Sequence, residues 1–200
     1  MTRSVQVDAW VGSITANWGP PTIGVNCAGR VVAGRLVDQT DAAWRDLMAV
    51  HLDGAFYSAR AMIREMVVVG QGGRIVLVGS WAAPAPHRHI GNYPVTKAGL
   101  RMLGRTLALD HAADGILVNE VAPGIVDAVL SRDLFQADPA LAARTRAAIP
   151  TQGLVRPEDV ARDVAFLASP DNRNTTGSVL VSDGGLSLAS TMDPGGPKSG

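Results

Sequence analysis

The stretch Arg74-Ile-Val-Leu-Val-Gly-Ser80 joins an uninterrupted apolar run to a Gly-Ser turn. A strand with one face in water alternates apolar and polar residues, whereas a continuous run is typical of a parallel strand that is covered on both faces. Three similar runs, at Ile23–Val25, Ile116–Val118 and Ser178–Val181, are bounded by turn-forming residues such as Gly, Asn and Ser. We therefore predict a sheet of four parallel strands.

Longer amphipathic segments alternate with these runs, at about Val5–Asn17, Asp41–Val69, Tyr93–Ala113 and Pro157–Ala168. Strands that alternate with helices of this length form βαβ units. The chain is therefore predicted to adopt an α/β fold with a doubly wound parallel sheet. Residues Asp127–Gln152 are less regular and are expected to form a mobile helical excursion.

Size and composition limit the classes of function. At 200 residues the chain fits one domain, which we assign to residues 1–189, and residues 190–200 are predicted to be a disordered tail. A net charge of zero offers no basic surface to nucleic acid or anionic lipid, and the apolar runs are too short to span a bilayer. The single cysteine suits a reducing compartment. We expect a cytoplasmic protein that binds neither nucleic acid nor a membrane.

Glycine-bearing turns follow all four predicted strands, at Asn26–Gly29, Gly79–Ser80, Ala122–Gly124 and Asp183–Gly185. Ligands of open parallel sheets bind beyond the carboxyl ends of the strands, where glycines let the backbone approach a ligand closely. Any one of these turns is explained as an ordinary strand-to-helix connection. Their occurrence after every strand favours a ligand site along this edge.

One of these turns leads to a set of residues with catalytic potential. Ser80 precedes Tyr93 by thirteen residues, and Lys97 follows Tyr93 by one helical turn on the same face. A nearby ammonium lowers the pKa of a tyrosine from its usual value of about 10. Tyr93 can then move a proton while Ser80 hydrogen-bonds a substrate oxygen. The hydride for such a reaction must come from a cofactor such as a nicotinamide.

The order of NCAG (residues 26–29), GS-x12-Y-x3-K (79–97), VNEVAPG (118–124) and DGG (183–185) resembles the short-chain dehydrogenase/reductase family, over about Val5 to Leu188. The resemblance implies a Rossmann-type sheet and NAD or NADP as cofactor. It also implies an oxidoreductase that interconverts a small-molecule alcohol and a ketone by hydride transfer.

The resemblance further implies a role for each site residue. Tyr93 would be the general acid–base, Ser80 would orient the substrate oxygen, and Lys97 would lower the tyrosine pKa and hold the nicotinamide ribose. Family members commonly form tetramers through the helices that correspond to residues 41–69 and 93–113, so a homo-oligomer (tetramer or dimer) is expected. Tyr93 and Lys97 are also implied to contact the cofactor. The residues implied to line it are Asn26, Ala28 and Gly29 on the adenosine side and Pro123, Gly124, Ile125 and Val126 on the nicotinamide side.

The first departure from the family pattern is the lack of a TGxxxGxG turn, which would hold the cofactor pyrophosphate. The fold is therefore predicted to be N-terminally truncated, without two βα units and a strand, on the order of 60 residues. Family strand order then leaves the strand at Ile23–Val25 as an exposed edge. We expect the isolated chain to be poorly soluble or to bind dinucleotide weakly, and the choice between NAD and NADP stays open.

Two further departures concern single residues. His51 stands where the family usually has an asparagine that holds a water beside the lysine, so His51 is a candidate proton relay. The alternative is a histidine that is hydrogen-bonded to nearby backbone. Ala128 stands where the family often has a threonine that contacts the nicotinamide carboxamide.

No metal site is predicted, because His87 and His89 lack a third ligand at suitable spacing. Cys27, in the turn after the first strand, is expected to be a small buried filler. The intact Ser80–Tyr93–Lys97 set favours an active oxidoreductase. The alternative hypothesis is a non-catalytic remnant of the family that acts as a binding or oligomerisation partner.

Overall fold

A computed structural model describes residues 2–189, and it leaves out the side chains of residues 129, 130, 133 and 134. Within this range four parallel strands lie side by side in chain order. The predicted α/β fold with a parallel sheet is thereby confirmed. The strands are β1 (Ile23–Asn26), β2 (Gly73–Val78), β3 (Ile116–Pro123) and β4 (Val179–Ser182).

β3 extends well beyond its predicted span of Ile116–Val118, because it has a neighbour on each side. Its residues Ile116–Val121 pair with β2, and Glu120–Pro123 pair with β4. The carboxyl ends of β1, β2 and β3 therefore lie next to one another, as the sequence pattern predicts.

The helices differ from the prediction in one place. The segment predicted as one helix over Asp41–Val69 is divided by a π-helical turn at Ala49–Asp53. The segment Asp127–Gln152, predicted as a helical excursion, contains two helices. No helix within residues 2–189 combines the length and the apolar character that a membrane span needs. The bounds are α1 Ser4–Trp18, α2 Asp41–Met48, α3 Gly54–Val69, α4 Tyr93–His111, α5 Val129–Ala137, α6 Pro139–Ala148, α7 Pro157–Ala168 and α8 Leu186–Ala189.

Burial on both faces explains the continuous apolar run of β2. Ile75 and Leu77 belong to the larger hydrophobic core, which includes side chains from α1, α3 and α4. Val76 points to the opposite face and packs in a second core with Leu167 of α7. All three strand residues are fully buried, and each contributes about 1.5–3 kcal/mol to folding.

β1 is an edge strand, and one of its faces is bare, as expected. Ile23 and Val25 lie on the same face as Val76, but α7 contacts β2, β3 and β4 and leaves β1 uncovered. About half of each of these two side chains is exposed, at 48% and 47%. An exposed apolar edge strand favours association with other chains.

Val25→Lys should raise the solubility of the isolated chain, because a charged side chain on an edge strand opposes further strand pairing. Stability should change by no more than about 0.5 kcal/mol, since Val25 lies at the surface. Light scattering and urea unfolding measure the two effects. The matched control is Val76→Lys on the same face of the neighbouring strand, where the side chain is fully buried and the change should unfold the protein. Equal aggregation of Val25→Lys and the unsubstituted chain would contradict the prediction.

Candidate active site

The turn after β2 is held firmly against β3. The Gly79 amide donates to the Val121 carbonyl at 2.7 Å, and the Trp81 amide donates to the Pro123 carbonyl at 3.0 Å. Ser80 lies between these two bonds, and its hydroxyl oxygen accepts a hydrogen bond from the Ala82 amide at 3.1 Å. The side chain of Ser80 is therefore presented from a fixed backbone at the carboxyl edge of the sheet.

Tyr93 is the first residue of α4, and its hydroxyl interacts with the side chain of Ser80 closely enough to affect the tyrosine pKa. Burial raises the pKa of Tyr93 above its usual value, and the interaction with Ser80 lowers it in part. The resemblance implies that Lys97 also lowers the pKa of Tyr93. The pKa of Tyr93 shows no effect of Lys97. At neutral pH the tyrosine hydroxyl is therefore protonated.

Lys97 lies one turn along α4 and is almost completely buried, at 4% exposure. Its ammonium donates to the Val78 carbonyl at 2.8 Å and lies 5.7 Å from the centre of the Tyr93 ring. Burial lowers the pKa of Lys97 to about 8, against the opposing effect of the Glu120 carboxylate. The lysine thus carries its charge at neutral pH and loses it under mildly alkaline conditions.

His51 lies in the π-helical turn, and both of its ring nitrogens have protein partners. Nε2 accepts from the Arg30 amide at 2.9 Å, and Nδ1 lies 2.8 Å from the Thr96 hydroxyl oxygen. Because that hydroxyl donates its proton to the Tyr93 carbonyl, Nδ1 is the protonated nitrogen. The imidazole packs edge-on against the Tyr93 ring, with centroids 5.5 Å apart. This is the backbone-bonded histidine of the alternative interpretation, and a relay through His51 requires one of these bonds to open.

The NCAG turn lies directly over His51 and Lys97. A Cβ at Gly29 would be 3.3 Å from His51 Nε2 and 3.8 Å from Lys97 Nζ, so a larger residue would press on both. Asn26 is buried, and its amide donates to the Ser58 hydroxyl of α3 at 3.0 Å. The turn, which also contains Ala28, is thereby anchored to the helix layer.

Cys27, in this turn, is exposed, so the expectation of a buried filler is wrong. In β1, alternate residues face the buried and the bare side of the sheet, and Asn26 is the last buried one. The next side chain accordingly points away from the core.

The segment predicted for the nicotinamide side follows β3. Gly124 lies against β4's end, where a Cβ would be 2.7 Å from the Asp183 Cα, so this position requires glycine. Ile125 and Val126 are partly exposed, and the Ile125 carbonyl accepts from the Val155 amide at 3.0 Å. Ala128 carries no group that could replace the missing threonine hydroxyl. The backbone of residues 123–126 thus runs beside the Ser80 turn, and residues 124–126 are partly exposed.

Sequence reasoning missed two charged residues beneath the site. Glu120, in the middle of β3, is buried and forms two hydrogen bonds with Arg101 of α4. The one signal in the sequence was a carboxylate inside a strand whose other residues, except Asn119, are apolar. Within residues 2–189, no group of three or more His, Cys, Asp and Glu side chains is arranged to hold a metal ion.

Comparison with known proteins identifies the family of this chain. A family model described as "Enoyl-(Acyl carrier protein) reductase" matches residues 1–187. The chain is 36% identical to 3beta-hydroxysteroid dehydrogenase 1 of Eggerthella lenta over 188 residues, which are 94% of this chain and 72% of that protein. It is 34% identical to the NADP-dependent (R)-specific alcohol dehydrogenase of Lentilactobacillus kefiri over 170 residues, 84% of this chain and 67% of that protein.

A solved structure has the same fold: the gluconate 5-dehydrogenase of Burkholderia cenocepacia, in complex with NADP and tartrate, superimposes with a TM-score of 0.89 at 31% identity. The match covers 94% of this chain and 72% of that one. Fold and site together define a Rossmann-type oxidoreductase. The chain belongs to the short-chain dehydrogenase/reductase family. The predicted class, an alcohol–ketone oxidoreductase that uses NAD or NADP, is thereby confirmed at the level of the family.

His51 makes stability depend on pH. Burial, and then the charge of Lys97, lower its pKa from 6.5 to about 4. Between these values the unfolded chain binds more protons than the folded one, so stability falls as the pH drops from 6.5 to about 4. His51→Asn removes this titration and should reduce the acid-induced loss of unfolding free energy by roughly 3 kcal/mol.

Urea unfolding at neutral pH and near pH 4 measures this difference. His51→Gln, which also cannot titrate, should behave in the same way. Equal losses in the unsubstituted chain and in both variants would contradict the prediction.

Proposed function

We propose that Ser80, Tyr93 and Lys97 are the catalytic residues with which this chain interconverts an alcohol and a ketone. The position of Ser80 at the end of β2 beside Tyr93 at the start of α4, with the buried Lys97 ammonium bonded to the Val78 carbonyl of that strand and 5.7 Å from the Tyr93 ring, carries this proposal. Such a set places a proton donor and a second hydroxyl where a single substrate oxygen can contact both.

The residues around the Ser80 turn fit a nicotinamide dinucleotide. Gly29 carries no side chain over Lys97, so its backbone can approach a ribose there, whereas the glycine at 124 is required by the close approach of Asp183. Lys97 would hold the nicotinamide ribose, and bound NAD or NADP would supply or accept the hydride. The residues proposed to line the cofactor are Asn26, Ala28 and Gly29 on one side and Pro123, Gly124, Ile125 and Val126 on the other. Asn26 would contribute its backbone, since its side chain is committed to Ser58.

The protonation states favour carbonyl reduction at neutral pH. Tyr93 holds its proton there and donates it to the substrate oxygen as negative charge develops, while Ser80 keeps that oxygen in place. The Lys97 ammonium, 5.7 Å from the centre of the Tyr93 ring, is proposed to stabilise the phenolate that remains, an effect that the pKa of Tyr93 in the chain without cofactor does not contain. Alcohol oxidation starts from that phenolate and becomes faster as the pH rises. His51 is proposed as a relay residue beside Lys97, acting when its bond to Arg30 opens.

A hydrophobic small-molecule carbonyl compound is the proposed substrate. The loop from Trp81 to Ile90 borders Ser80, and its residues Ala82 and Ala83 are buried beside the site. The Trp81 and His87 rings are in contact, with centroids 4.4 Å apart. Apolar side chains that follow Ser80, such as Ala82 and Ala83, favour a carbonyl compound that carries hydrocarbon groups.

We propose that the chain assembles as a homo-oligomer, a tetramer or a dimer, in the cytoplasm. Val95, Met102 and Leu109 recur every seven residues along α4, and all three side chains are exposed. Two helical turns separate successive members of this series, so they lie on one face. On α3, Phe56 and Val68 are also exposed. An apolar stripe of this kind is suited to a helix of a second copy.

One observation favours the alternative hypothesis, a non-catalytic binding partner. The bare face and the unpaired edge of β1 offer a surface on which another chain can add a strand. Binding there without turnover is the behaviour that this hypothesis predicts.

Tyr93→Phe tests the proposed function. With saturating NADH or NADPH and a panel of hydrophobic ketones, the unsubstituted chain should show turnover, and the variant should lose about 10²–10⁴-fold in kcat. Cofactor affinity, measured by fluorescence titration, should change much less than kcat, because only the hydroxyl is removed and the ring stays in place. The isolated chain is expected to bind dinucleotide weakly, and tight stoichiometric binding would refute that expectation.

Tyr57→Phe is the matched control, since Tyr57 packs against the core and lies near Arg60 on α3. Its kcat should be unchanged. Full activity in Tyr93→Phe would refute the assignment of Tyr93. Cofactor binding without turnover of any substrate by the unsubstituted chain would favour the binding partner.

The pH profile of carbonyl reduction should report on Lys97. The rate should fall above a pH of about 8, where the ammonium loses its proton. In Lys97→Arg the guanidinium stays charged, so this alkaline fall should disappear, although the rate at neutral pH should be lower. Lys97→Met should be nearly inactive at every pH. An identical alkaline fall in Lys97→Arg would assign it to another group.

A further inference from the structure

A buried ion pair lies directly beneath the Ser80 turn. Glu120 is only 3% exposed, in a strand whose other residues are also buried. Arg101 Nε donates to Glu120 Oε2, and Arg101 Nη2 donates to Glu120 Oε1, both at 2.9 Å. Two parallel bonds of this type fix the orientation of both planar groups.

The same ion pair contacts the backbone that carries Ser80. Arg101 Nη2 also donates to the Ser80 carbonyl at 3.2 Å. On the other side, the carboxylate of Glu120 lies so close to Gly79 that a Cβ there would be 2.0 Å from Oε1. Arg101 therefore holds the turn by a hydrogen bond to the Ser80 carbonyl, and the Glu120 carboxylate packs against the turn at Gly79.

We propose that Arg101 and Glu120 are positioning residues, which aim the Ser80 hydroxyl at Tyr93 and at the substrate oxygen by holding the Gly79–Ser80 turn. This inference rests on the proposed roles of Ser80 and Tyr93. Neither residue of the pair touches the reacting atoms, so both act through the turn.

The charge of Glu120 has a second consequence at the site. Its carboxylate raises the pKa of Lys97, which burial lowers. Loss of this charge should therefore let Lys97 lose its proton at a lower pH. Arg101 follows Lys97 by four residues on α4, so one helical face carries both cations.

The test separates positioning from a merely structural role. Replacement of a whole buried ion pair by apolar residues of similar size often leaves stability intact. Arg101→Met/Glu120→Met should therefore fold, with an unchanged urea midpoint. Its kcat should fall about 10–100-fold, while KM for the cofactor stays within about twofold, because a misplaced hydroxyl affects the chemical step.

Hydrogen exchange supplies a readout that needs no activity. The Trp81 and Ala82 amides, which are bonded to Pro123 and to the Ser80 hydroxyl, should exchange at least about tenfold faster in the double variant, while core amides of β2 do not. Glu120→Gln, which keeps a neutral partner for Arg101, serves if the double variant does not fold. It should lower kcat, speed the same exchange and move the alkaline fall to lower pH.

Asp8→Met/Arg60→Met is the control, because this pair joins α1 to α3 away from the turn, at 3.6 Å. Its kcat and its exchange at Trp81 should not change. If a folded variant of the Arg101–Glu120 pair keeps the kcat and the amide exchange rates of the unsubstituted chain, the inference is wrong. If the unsubstituted chain shows no turnover, the proposed function fails, and the exchange rates alone decide whether the pair holds the turn.

Discussion

The hydrogen bond from the Lys97 ammonium to the Val78 carbonyl is the interaction on which the site depends. It joins the carboxyl end of a strand that is buried on both faces to the first turn of α4. Since Ser80 follows that strand and Tyr93 begins that helix, this bond helps to hold the two residues beside each other. The buried ammonium could not remain charged without such a partner, because an unpaired buried charge is costly.

The electrostatics of the neighbouring groups follow from this buried cation. The charge of Lys97 adds to burial in holding His51 neutral, and a neutral imidazole can accept from the Arg30 amide and donate to Thr96. The Glu120 carboxylate acts in the opposite direction and favours the charged lysine. The site therefore contains a cation, a neutral histidine and a protonated tyrosine at neutral pH. That combination suits the donation of a proton to a carbonyl oxygen.

The fold was predictable because its strands are buried on two faces, so their apolar runs are continuous and need no knowledge of distant residues. The position of Ser80, Tyr93 and Lys97 was predictable for a related reason, since a strand end and a helix start are local features. What failed depended on tertiary contacts. Cys27 was expected to be buried from its residue type, but the bare side of an edge strand decides its exposure. The π-helical turn at His51 has no marker such as a proline, and the partnership of Arg101 with Glu120 arises only where α4 crosses β3.

The number of neighbouring elements also explains why the backbone of the active site is held more firmly than the β1 edge. At the carboxyl edge the Gly79 amide, the Trp81 amide and the Ser80 carbonyl each bond to an adjacent strand or helix, so the geometry of this turn is determined by several contacts at once. On the bare face of β1, Ile23 and Val25 have a neighbouring strand on one side only and no helix above them. The NCAG turn continues from this sparsely covered strand, whereas the Ser80 turn and the start of α4 are held by β2 and β3. The two sides of the proposed site therefore differ in how many neighbouring elements hold their backbone.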